Sequence, residues 1–130
     1  MRKLSLMILA IIVIVAVVIP VSAAGYDTEI GNYTISGKPC LAEFTVSDGT
    51  NSVLPGFYAT STVESGSLSV VGVEGFVYRK SNGSRYNFSE TGIYAGTHAF
   101  AQDGLQIAST HGWSTHTFGS QATYLYADNR

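Results

Sequence analysis

From residue 25 onward apolar and polar residues alternate with a period of two, and almost no window places apolar residues at the three-to-four spacing of a helix. In CLAEFTVS, Cys40, Ala42, Phe44 and Val46 share one face, while Leu41, Glu43, Thr45 and Ser47 share the other. That pattern is a half-buried strand, because successive side chains of a strand point to opposite sides. Val71, Val73 and Val77 likewise share a parity and read as core.

Turn residues punctuate these runs: Ser47-Asp48-Gly49, Glu64-Ser65-Gly66, Asn82-Gly83, Thr91-Gly92 and Asp103-Gly104. The intervals, with many short strands and no helix, predict a single all-β domain, a small antiparallel β-sandwich, with a small β-barrel as the alternative. Asn-Gly and Asp-Gly accept the positive φ angles of tight hairpins. A two-residue loop at Asn82-Gly83 sets Val77 opposite Phe88 and Lys80 opposite Arg85. The like-charge pair argues for a loop longer by a residue or two. A two-residue loop at Asp103-Gly104 sets His98 opposite Ser109 and Gly96 opposite His111, which leaves His98 and His111 diagonal on one face.

The first 24 residues read differently. Arg2 and Lys3 precede 16 uncharged residues, Leu4 to Ile19, and then PVSAAG, the three parts of a secretory signal peptide. Val21-Ser22-Ala23 and Ser22-Ala23-Ala24 both offer small residues for cleavage, which places the mature start at Ala24 or Gly25 and the folded domain at 25–130. The alternative is an uncleaved membrane anchor, since the apolar run falls just short of the roughly 17 residues that span a bilayer. The chain is therefore expected to be secreted and extracellular, touching a membrane only through this segment if it is retained.

Beyond the leader, five Lys or Arg stand against nine Asp or Glu, a net charge of about −4 with neutral histidines. Nucleic acid is excluded as the main partner by that sign, because neutralising phosphates takes clustered cations. Cys40 is the one cysteine, so no intrachain disulfide forms; it is a buried small hydrophobe or a thiol linking two chains.

The stretch STHGWSTHTF, residues 109–118, holds two histidines and the sole tryptophan. His111 and His116 are an odd number apart and point to opposite faces of an unbroken strand, unless Gly112 bulges it. His98, His111 and His116 are the candidates for a zinc site with one position open for water. No C-x-x-C, H-E-x-x-H or H-x-H spacing supports them, so no cofactor is expected and a zinc-dependent enzyme is the least favoured reading. A G-x-S-x-G elbow is also absent, and Cys40 lacks a setting that lowers its pKa.

Trp113, Tyr124 and Tyr126 are the candidate ligand-binding residues. They form either an exposed platform for sugar rings or a partner chain, or the bulk of the core, which a sandwich draws from its last strand. The core is the favoured of these two. Asn32, Asn82 and Asn87 each begin an N-x-S/T acceptor pattern for glycans.

These residues lead to a secreted, non-catalytic extracellular binding or cell-envelope module, with an extracellular protein or carbohydrate as partner. A secreted antimicrobial or membrane-active effector is the alternative. An antiparallel sandwich with an exposed edge also admits homo-oligomers by strand addition.

Overall fold

The computed structural model describes residues 17–23, 25–51, 53–91 and 96–130. Residues 1–16, and with them most of the leader, lie outside the described residues, as does Gly92 of the Thr91-Gly92 turn. Among the described residues nine strands follow in order: β1 (Val17–Ala23), β2 (Tyr26–Ile35), β3 (Lys38–Ser47), β4 (Gly56–Val63), β5 (Val71–Arg79), β6 (Arg85–Thr91), β7 (His98–Gln102), β8 (Ser109–Phe118) and β9 (Gln121–Asp128). They make two antiparallel sheets, ordered β1-β2-β3-β4-β7 and β6-β5-β8-β9, which stack as a sandwich and do not close into a barrel.

The period-two pattern sets which residues fill the space between the sheets. Cys40, Ala42, Phe44 and Val46 turn inward from β3, and Val71, Val73 and Val77 from β5, all at most 2% exposed. Phe88 of β6 reaches across to stack on Phe57 of β4, ring centres 4.3 Å apart, and meets Phe44 at 6.1 Å. Burial of Cys40 settles its packing as a small hydrophobe.

Strand β1 occupies part of the segment read as leader. It pairs with β2 along its whole length, from Val17 opposite Asn32 to Ala23 opposite Tyr26.

Hairpin registers follow local turn chemistry, with two additions to the sequence reading. Ser36-Gly37 joins β2 to β3 with φ of 51° and 73°, both in the left-handed region, as a type I′ turn requires. Gly119-Ser120 joins β8 to β9 as a two-residue loop with only the glycine at positive φ, the II′ pattern. At Asn82-Gly83 the hairpin forms with the loop lengthened: Tyr78 faces Arg85, Val77 faces Tyr86, and Arg79 N–H bonds Ser84 O. The two-residue shift preserves every face and separates Lys80 from Arg85. Lys80 instead pairs with Asp48 at 3.0 Å.

The expected hairpin at Asp103-Gly104 does not form. β7 pairs with β4 and β8 pairs with β5, so the connection crosses from one sheet to the other. The reason is the Asp103 carboxylate, which turns inward and pairs with Arg79 rather than solvating a tight turn. It also accepts the backbone N–H groups of Leu105 (3.1 Å) and Ile107 (3.3 Å), which shapes the crossing. Gly56 must be a glycine here, because its φ is +114° and a Cβ would stand 2.3 Å from an Asp103 oxygen.

Candidate functional site

Alternation on β5, β6, β8 and β9 builds the outer face of the four-stranded sheet from cross-strand rows. The middle row runs Asn87, Phe76, Trp113, Tyr126; one neighbouring row runs Arg85, Tyr78, His111, Asp128, and the other Ser89, Glu74, Thr115, Tyr124. Aromatic residues thus meet side by side rather than being scattered. Trp113 lies 5.3 Å from Phe76 and 4.6 Å from Tyr126 between ring centres, and Tyr78 stacks on His111 at 4.7 Å.

This face is open to solvent. Trp113 is 42% exposed, Tyr126 39% and Tyr124 71%. The three rings therefore lie outside the interior, and the expectation that they fill the core is corrected. Inward positions of β9 are taken by Leu125 and Ala127, and those of β8 by Gly112, Ser114, His116 and Phe118.

Beside the rings lies a shallow cleft of about 470 Å³ whose walls mix apolar and polar groups. Phe76 and Trp113 supply aromatic surface, while Glu74, Arg85, Asn87, Ser89 and Thr115 supply hydrogen-bonding groups. The Arg85 guanidinium sits 3.7 Å over the Phe76 ring and donates its Nε–H to Asn87 Oδ1 at 2.9 Å. Two planar polar groups are thus held in place at the cleft rim, one by a cation–π contact. At the far end Asp128 accepts from Tyr126 Oη (2.6 Å) and Arg130 Nη2 (2.7 Å). The Arg130 guanidinium holds the Asp128 carboxyl well below the usual carboxylate range. Burial, then the nearby Arg130 charge, lowers the His111 pKa, so this ring joins the face as a neutral aromatic group.

The three histidines are not brought together. His98 lies on the outer side of the other sheet, within 3.2 Å of Thr62 Oγ1; His111 lies on the aromatic face; His116 is fully buried between the sheets. The odd spacing of His111 and His116 holds, because the irregularity in β8 falls at Thr110 and not at Gly112. Among the described residues no group of three or more His, Cys, Asp or Glu is placed to share a metal ion.

His116 has an internal role instead. Ser61 Oγ donates to the Gly72 carbonyl at 2.8 Å, so it accepts from His116 Nδ1, also at 2.8 Å, and Nε2 of the neutral ring is left to accept from the Ser114 hydroxyl at 2.7 Å. That arrangement needs the neutral ring, and burial depresses its pKa to about 4. Asn32, Asn82 and Asn87 of the three acceptor patterns are all exposed.

The fold and this face define an antiparallel β-sandwich with one aromatic-lined outer surface. Comparison with protein-family models, with curated proteins and with solved structures returns no match.

Proposed function

We propose that the protein is a secreted, non-catalytic binding module that takes carbohydrate on the outer face of the β6-β5-β8-β9 sheet. The observation that carries this reading is the cross-strand row in which the exposed rings of Trp113 and Tyr126 continue the half-buried Phe76, with Asn87, Arg85 and Glu74 beside it. A pyranose ring has an apolar face of C–H groups that stacks on aromatic rings, and a rim of hydroxyls that hydrogen-bonds planar polar side chains. Among the described residues Glu74 is the one carboxylate lining the cleft. Glycoside hydrolysis by either stereochemical route uses two, which favours holding a glycan over cutting it.

Trp113 is the only tryptophan in the chain, so its fluorescence reports on this face alone. Titration with oligosaccharides of glucose, N-acetylglucosamine, mannose and galactose is expected to give saturable quenching with at least one series, with a dissociation constant on the order of 1 mM or tighter. Unchanged emission with every series overturns the reading.

A membrane-active effector is the second reading, favoured by Leu54 and Leu105, which are 64% and 65% exposed on loops at one end of the sandwich. Co-sedimentation with anionic and neutral vesicles tests it, and release of a trapped dye separates disruption from binding.

A further inference from the structure

We infer that removal of the leader uncovers β2 as a strand-accepting edge, and that its occupant is β2 of a second copy, paired antiparallel about a two-fold axis through Ile30. This rests on the secretion reading, because cleavage before Ala24 or Gly25 takes away β1.

The structure itself seats a strand on this edge. Seven successive residues of β1 pair with Tyr26–Asn32, so the β2 backbone is regular enough to accept a neighbour over most of its length. Edges left open in soluble proteins are commonly blocked by proline or by Lys side chains. The ten residues of β2, YDTEIGNYTI, contain no proline and no cation. Once β1 is gone, a row of backbone donors and acceptors faces water, and the only charges in the strand are those of Asp27 and Glu29.

Charge pattern restricts the registers open to a second copy. Directly opposed residues of an antiparallel pair project to the same side of the sheet, so the inner faces of two copies continue one another only in registers that oppose residues of like parity. Centring on Thr28 opposes Asp27 to Glu29 of the second copy, and centring on Glu29 opposes that residue to itself. Both place like charges together, which is unfavourable. Centring on Ile30 opposes Ile30 to itself, Thr28 to Asn32, Asp27 to Tyr33 and Glu29 to Gly31. No like charges meet, and an apolar contact lies on the axis. Tyr33 folds back over Gly31, where a Cβ would stand 2.3 Å from its hydroxyl oxygen. Its hydroxyl therefore lies in the row where Glu29 of the second copy arrives, a donor facing an acceptor, twice over by symmetry. The product is a continuous sheet of eight strands, β7-β4-β3-β2 followed by the same four reversed.

The test is secretion of the full chain from a host with signal peptidase, followed by denatured and native mass spectrometry of the recovered protein. Loss of residues 1–23 or 1–24 with a native mass of two chains is the expected result. The variant Ile30→Lys then gives one chain, as does Ile30→Glu, and mixing the two variants restores two chains with one of each. Circular dichroism melting of each variant confirms that the sandwich is intact, since Ile30 lies outside the core. A retained leader overturns the secretion reading, and this inference with it, because β1 then still covers the edge. A cleaved chain that stays monomeric overturns this inference alone, as does a dimer that Ile30→Lys leaves unchanged.

Discussion

Arg79 and Asp103 form an ion pair inside the sandwich, their side chains only 5% and 1% exposed, and the pair ties β5 to the end of β7 in the opposite sheet. The guanidinium has further partners: Nη1 also lies 3.1 Å from both Ile107 O and Ser109 Oγ, and the carbon at its centre lies 4.4 Å over the Tyr86 ring. A buried pair adds little net stability over an apolar replacement, but removing one member leaves the other charged and unpaired in a low dielectric.

Arg79→Leu and Asp103→Leu are therefore each expected to destabilise the protein by about 3–5 kcal/mol. The double substitution should cost clearly less than the two single costs combined. Urea denaturation followed by circular dichroism measures all three. A single substitution costing under about 1 kcal/mol would show that the pair does not organise the crossing.

Protonation of His116 carries a second prediction. Its folded pKa is about 4 against an ordinary 6.5, so below pH 6.5 the unfolded chain binds the proton more readily than the folded one. Its contribution is fully present above pH 6.5 and is lost progressively as pH falls to about 4, by an amount on the order of 3 kcal/mol. The depressed pKa of His111 acts in the same direction. Denaturation midpoints at pH 7, 5.5 and 4 should fall in the parent and fall less in His116→Gln, which keeps polar contacts to Ser61 and Ser114 but does not titrate. Parallel curves would refute the assignment.

Strand existence and strand faces were legible in the sequence, as Cys40 to Val46 and Val71 to Val77 show. Less legible was which face of a strand is the core. The parity of Tyr124 and Tyr126 against Leu125 was plain, but counting bulk puts the tyrosines inside. The interior already holds Phe88 against both Phe44 and Phe57, and the inner face of β8 is correspondingly small and polar at Gly112, Ser114 and His116. That is a property of the packed sandwich and not of any one strand. Turn chemistry failed at Asp103-Gly104 for a related reason: the residue that decides it, Arg79, lies 24 positions away. Ser36-Gly37 and Gly119-Ser120, by contrast, carried a local signal that the sequence reading passed over.

Cys40 supplies a third prediction. It is 2% exposed, and burial pushes its thiol pKa up, so both access and thiolate content are low. Native protein should react with a chromogenic disulfide reagent only as fast as it opens, whereas one thiol per chain should react at once in denaturant. The labelling rate then becomes a measure of opening. Immediate reaction of the native protein would contradict the burial.

The outer aromatic face makes the last prediction, which separates binding from packing. Trp113 contacts Phe76, Tyr126 and His111, with the His111 ring centre at 5.9 Å, so its ring supports the sheet as well as any ligand. Cross-strand aromatic contacts are worth about 0.5–1.5 kcal/mol, and Trp113→Ala should lose on the order of 1 kcal/mol or more of stability. Tyr124 is 71% exposed, and Tyr124→Ala should change stability by under about 0.5 kcal/mol. Calorimetric titration with whichever oligosaccharide quenches Trp113 then discriminates between the roles. If the row holds sugar, Trp113→Ala abolishes binding, Tyr124→Ala weakens it several-fold with stability intact, and Glu74→Gln weakens it without altering the fold. If all three variants bind as the parent does, the rings serve only to stiffen the sheet, and the ligand site lies elsewhere on the molecule.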